Sequence, residues 1–158
     1  MISVKVAEGR AGRLLIFRLK RGADLLSSIR AEAERAGVRA GFLMCIGGLS
    51  RARLGFYTGS GRYKALEIEG PLELVACVGN IALGPGGELI IHAHACVADG
   101  EGRAYGGHLL DGCLVDSTGE LVIVELSGAE FRREVDEETG LKLLRAPDLT
   151  LLHEQKAK

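Results

Sequence analysis

Tryptophan is absent, aromatic residues make up only 4% of the chain, and prolines number three in 158 residues. So few aromatics exclude the stacking platforms on which single strands and RNA bases are read. Neither sign of charge is in excess: 20 Lys and Arg stand against 21 Asp and Glu, a net charge of −1. With 26% charged and 47% hydrophobic residues, the composition excludes a disordered chain. No apolar stretch reaches the ~18 residues of a membrane-spanning helix. The N-terminal ten residues also lack the apolar segment of a secretory signal. The expectation is a cytoplasmic protein with no membrane partner. Cys45, Cys77, Cys96 and Cys113 form no C-x-x-C pair, which predicts reduced core thiols rather than a disulfide framework or a zinc ribbon. A phosphate-binding P-loop, a G-x-S-x-G nucleophile elbow and an H-E-x-x-H helix are all missing.

Glycine is what the chain has in excess. It numbers 23, about twice its usual share of about 7%, without the period of collagen or the Ser and Pro of a linker. Such glycines mark turns, bulges and close backbone approaches. The length fits one domain, placed at residues 1–150, with a frayed tail over 151–158.

A strand at 13–19 precedes a helix that Asp24 caps and Gly37 ends, with Leu25, Leu26, Ile29, Ala33 and Ala36 on one face. Strand-like runs follow at 40–49, 52–58, 64–68, 72–83, 88–97, 104–115 and 121–126. Turn signals separate them at 58–61, 70–71, 84–87, 99–102 and 117–119. One helix followed by many closely linked strands predicts an α+β fold, a mainly antiparallel sheet with one or two flanking helices. Residues 130–144 read as a polar crossing and a short final element.

Charge is unevenly spread, with residues 1–53 carrying net +7 and residues 54–158 net −8. If the basic third gathers on one face, Arg18, Lys20, Arg21, Arg51 and Arg53 are the candidate contacts to an anionic partner such as DNA; interleaving of both halves in one sheet would instead leave no basic face.

Three of the four histidines fall within 17 residues: His92 and His94 in Ile90-Ile-His-Ala-His-Ala-Cys-Val97, and His108 in Gly106-Gly-His-Leu109. Side chains alternate along a strand, so His92 and His94 share a face, their Cα atoms roughly 6.5–7 Å apart. If Asp99 and Arg103 flank a three-residue loop with Gly102 in the left-handed conformation, paired residues sum to 202 and His108 faces His94. A two-residue loop would turn His108 to the other face. Three neutral imidazoles with a free fourth position suit zinc or another first-row divalent metal. Cys96 continues the same face and is either a further ligand or a buried thiol. Glu125, isolated in Leu121-Val-Ile-Val-Glu-Leu126, is a ligand, a carboxylate orienting an imidazole, or an edge residue in water.

The ordered set Arg18-Leu-Lys-Arg-Gly-Ala-Asp-Leu-Leu26, Ile46-Gly-Gly-Leu-Ser50, Leu72-Glu-Leu74, Gly79-Asn80, the His-x-His at 92–94, Gly102-Arg103, Gly106-Gly-His-Leu109 and Thr118-Gly-Glu120 resembles a PPC domain, the plant and prokaryote conserved domain. The resemblance runs from about residue 13 to 126. It implies an antiparallel sheet flanked by helices, assembled as a homotrimer, in a family usually described as DNA-binding. It also implies a fold similar to acetolactate decarboxylase, whose zinc positions fall on His92, His94 and His108. The Arg-Gly-Arg-Pro segment with which plant members enter the minor groove is lacking, so any DNA contact falls to the domain itself.

Two functions follow. One is a DNA-associated or regulatory homotrimer with a structural or sensory zinc. The alternative is a zinc-dependent lyase or hydrolase acting on a small anionic carbonyl or carboxylate metabolite.

Overall fold

A helix forms where the sequence supplies both a cap and an apolar stripe. The structure, a computed structural model, describes Ser3 and residues 5–145. In it α1 spans Leu25–Arg35, with Leu25, Leu26, Ile29 and Ala33 buried. Asp24 Oδ1 accepts the Ser27 N–H at 2.9 Å and its Oδ2 accepts the Gly112 N–H at 2.6 Å. One side chain thus satisfies a helix donor and ties the helix to a distant loop. Gly37 ends the helix as expected, with Val38 N–H returning to the Ala33 carbonyl.

Every other element is a strand: β1 Arg10–Leu19, β2 Gly41–Gly59, β3 Arg62–Leu83, β4 Leu89–Ala98, β5 Ala104–Leu109, β6 Leu114–Ser127, β7 Arg133–Val135 and β8 Lys142–Leu144. Six form one antiparallel sheet in the order β1-β6-β2-β3-β4-β5, and β7 and β8 form a separate hairpin. The α+β expectation stands, with one helix among the described residues. Residues 130–144, expected as a polar crossing and a short final element, instead carry both strands of that hairpin, and the tail at 151–158 lies outside the described residues.

Four boundaries differ from the sequence reading. The runs at 40–49 and 52–58 fuse into β2, and those at 64–68 and 72–83 fuse into β3, so Gly70-Pro71 lies inside a strand. Residues 117–119, expected as a turn, lie inside β6. In each place the pairing register shifts, between Leu49 and Arg51 and again between Gly47 and Leu49. Turn-forming residues here make bulges, which absorb an extra residue without ending the ladder. The run at 104–115 instead divides at residues 110–113, where the chain turns from β5 into β6.

The sheet has two unlike faces. Leu43, Cys45, Cys77, Ile81, Ile91, Ala93, Val97, Leu121 and Ile123 pack under α1 in one core. Burial holds Cys45 up at about 11 and Cys77 at about 12, so both thiols are inert packing groups. On the opposite face the registers align Ile16, Val122, Met44, Val78, His94 and His108 in one row across the sheet. Ile16 is 71% exposed, Met44 53% and Val78 53%, and Leu14, Phe42 and Ile46 beside them are also more than half exposed.

Candidate metal centre

The geometry of the three histidines follows from one hairpin. Asp99 Oδ1 accepts the N–H groups of Glu101 and Arg103, each at 3.0 Å. Gly102 takes φ 76°, and its N–H reaches the Asp99 carbonyl at 3.0 Å. This three-residue loop sets Ala98 opposite Ala104 and His94 opposite His108, the register that the loop glycine predicts. His92 lies two residues along β4 on the same face.

The ring centroids are 5.3 Å apart for His92 and His94, 5.1 Å for His92 and His108, and 5.5 Å for His94 and His108. One nitrogen from each ring lies within 4.8 Å of the other two. A tetrahedral zinc with 2.0–2.1 Å bonds sets its nitrogens about 3.3 Å apart, so small side-chain rotations close the set. Tyr63 from β3 stacks on His108 with centroids 4.7 Å apart. His108 Nδ1 is buried without a hydrogen-bond partner, and a buried polar atom of that kind calls for a ligand.

Electrostatics favour neutral rings. Burial, then the Arg133 charge and the other two rings, push His92 down to about 4. Burial also lowers His108, helped by His94 and Arg133. Both imidazoles are therefore unprotonated near pH 7, the form a metal binds. The three residues fit a divalent metal in nitrogen type, number and spacing.

Sequence reasoning missed Arg133. It is 5% exposed, the one buried charged side chain among the described residues. The β7–β8 hairpin brings it in: Leu83 N–H bonds the Phe131 carbonyl, and the Thr139 carbonyl accepts from Tyr57 Oη at 2.6 Å and Gly61 N–H at 3.1 Å. Arg133 Nη2 then lies 2.7 Å from Asn80 Oδ1 and 3.2 Å from His92 Nδ1, and Nη1 donates to the Lys142 carbonyl at 2.8 Å. The only signal in the sequence was Phe131-Arg-Arg-Glu-Val135, whose alternation puts one of two arginines on the apolar side of a short strand.

Other sequence candidates fall elsewhere. Cys96 is half-buried opposite Gly106 on the histidine face, outside the three-residue group. Glu125 is not brought to the cluster. It pairs with Gly41 in the row of Ile81 and Ile91, on the helix side, and both its oxygens take hydrogen bonds from Arg13 at 2.7 and 2.8 Å. Arg21 pairs with Asp116, and Arg51 and Arg53 both pair with Glu67. Arg18 and Lys20 are exposed, with no ion pair among the described residues, although Glu120 stands opposite Arg18.

Comparison with known proteins bears on the fold as a whole. Residues 6–127 match the Plants and Prokaryotes Conserved (PCC) domain, the family also abbreviated PPC. The fold is similar to a PPC protein of Pyrococcus horikoshii (TM-score 0.82, 29% identity, 92% of this chain and 99% of that one). It is similar to a metal-containing protein of Archaeoglobus fulgidus (0.80, 31%, 89% and 99%). A candidate DNA-binding protein of Ralstonia eutropha JMP134 is also similar (0.72, 30%, 84% and 90%). A Staphylococcus aureus protein of unknown function, described as similar to alpha-acetolactate decarboxylase, shares the fold alone (0.50, 18%, 75% and 53%). The bifunctional protein GlmU of Synechococcus sp. strain JA-3-3Ab is 35% identical over 129 residues, 81% of this chain. The chain spans about a fifth of the length of the curated relatives it matches, 20% in each case.

Proposed function

The chain belongs to the plant and prokaryote conserved domain family, and from that membership we propose that it is a metal-binding homotrimer of the family that associates with duplex DNA. The observation that carries the metal reading is the convergence of His92, His94 and His108 within 4.8 Å. Zinc is the metal proposed, since three imidazoles and a free position suit it. The metal-containing relative from Archaeoglobus fulgidus supports the binding of a metal, without bearing on which one.

The homotrimer rests on the bare sheet face. Six large apolar side chains there are more than half exposed, and a contiguous apolar patch on a folded chain marks an interface. Copies of this chain are its proposed cover, because the patch runs directly into the histidine row and its assembly would wall the metal centre.

For DNA, the named function of the Ralstonia eutropha relative and the basic N-terminal third support association. Arg18 and Lys20 are the proposed phosphate contacts, because Arg21, Arg51 and Arg53 already hold carboxylates. A mobility-shift titration at several salt concentrations tests it. In Arg18→Gln/Lys20→Gln retardation should weaken, and the slope of log affinity against log salt should fall by about 0.9 for each phosphate that is no longer neutralised. No retarded species at low salt would remove the DNA role.

A second reading, a lyase or hydrolase of a small carbonyl or carboxylate compound, is favoured by Arg133. When bound, a divalent metal supplies a Lewis acid that polarises a substrate oxygen. Arg133 supplies a fixed positive charge, and Tyr63 closes one side of His108.

A further inference from the structure

A guanidinium buried to 5% exposure ordinarily sits on a carboxylate, because an unpaired buried charge is costly. Arg133 has none among the described residues. Its three hydrogen bonds go to two neutral oxygens and one ring nitrogen, and its Nε is buried without a partner. Burial lowers its pKa, and the opposing contribution comes from Tyr63 rather than from a carboxylate. The three imidazoles beside it bring no negative charge either.

Arg133 donates and cannot accept, so the His92 nitrogen facing it, Nδ1, must be the acceptor and Nε2 must carry the ring proton. A metal on Nδ1 takes the lone pair that Arg133 uses. A metal on Nε2 moves the proton to Nδ1 and sets two donors 3.2 Å apart. Either way, loading the metal breaks this hydrogen bond and frees an Nη2 N–H beside the orphaned Nε. The result is a divalent cation and a buried guanidinium with two unmet donors.

We infer that Arg133 and the metal together form a receptor for a small oxyanion, a carboxylate or a phosphate group that takes the metal's free position and accepts from the guanidinium. The inference rests on the three-histidine metal reading and adds to it a ligand class and a coupling: metal and oxyanion bind with positive linkage. The planar fork of Arg suits both anions. Arg133 lies on the β7–β8 hairpin, beyond the segment matched to the family, residues 6–127.

Full-length protein loaded with Co2+ is titrated with acetate and, separately, with inorganic phosphate, following the visible cobalt bands. At least one anion should shift the bands saturably, and the arms tell which. Arg133→Met should still take up Co2+ but bind that anion ~10- to 100-fold more weakly, the usual weight of a hydrogen bond to a charge. In wild-type protein, calorimetry should show the anion binding at least tenfold tighter with metal than without, a measurement that needs no variant to fold. Equal anion affinity in Arg133→Met, or equal affinity with and without metal, overturns the receptor and leaves the metal centre standing. No Co2+ uptake by wild-type protein overturns the metal centre itself and the receptor with it.

Discussion

Met44→Asp puts a carboxylate at the middle of the apolar row that runs from Ile16 through Val122, Met44 and Val78 to His94. In a single chain Met44 is 53% exposed, so this is a surface change worth within about 0.5 kcal/mol of stability. In an assembly it is a buried charge. Leu14, Ile16, Phe42, Met44, Ile46 and Val78 are 51–71% exposed, and each ~100 Å2 of such surface withdrawn from water is worth ~2.5 kcal/mol. Covering all six gives on the order of 15 kcal/mol per chain, against an association cost of ~4–15 kcal/mol. The margin is narrow enough that removing one apolar side chain and desolvating one carboxylate reverses it. Sedimentation velocity should give wild-type protein three times the 16.8 kDa chain mass and Met44→Asp a single chain, with unchanged circular dichroism. Wild-type protein sedimenting at 16.8 kDa, or a variant keeping the wild-type mass, refutes the reasoning.

Two further outcomes follow from the same structure. In metal-free protein the folded pKa of His92 is about 4, below its ordinary 6.5, so the unfolded chain takes up a proton that the folded chain refuses. This contribution is complete above pH 6.5, declines as pH falls toward 4 and then levels. For a half-buried ring it amounts to about 1–2 kcal/mol after solvent screening. Urea midpoints at about pH 7.5 and about pH 4.5, on either side of the ordinary histidine range, should show a smaller loss in His92→Asn than in wild type, and equal losses would contradict the burial argument. Gly102→Ala should cost about 1–2 kcal/mol, since φ is 76° and a Cβ there meets nothing within 4 Å, leaving only the left-handed backbone penalty. An unchanged urea midpoint would show that the loop does not need that conformation.

What the sequence disclosed was local. Asp24, the stripe at helical spacing and Gly37 define α1 because a helix satisfies its own backbone. The Asp99–Arg103 loop defines the His94–His108 register because a tight hairpin fixes its own pairing. Arg133 was hidden because its position depends on the β7–β8 hairpin docking against Leu83, Tyr57 and Gly61, residues remote in sequence. The alternatives for Glu125 stayed open for a similar reason: its strand was legible, but whether it shares a face with His92 depends on registers through β2, β3 and β4. Phe42-Leu-Met-Cys-Ile46 reads as a run buried on both sides, yet a single chain buries only Leu43 and Cys45. Phe42, Met44 and Ile46 instead form part of the exposed apolar face on which the proposed homotrimer rests.

The central claim is that His92, His94 and His108 hold a metal, and elemental analysis of purified protein beside His94→Ala tests it most directly. His94 is exposed, so removing its ring takes a ligand away with little effect on the core. The predicted result is about one zinc, or another first-row divalent ion, per wild-type chain and almost none in the variant. Equal metal in both, or negligible metal in both, contradicts the claim.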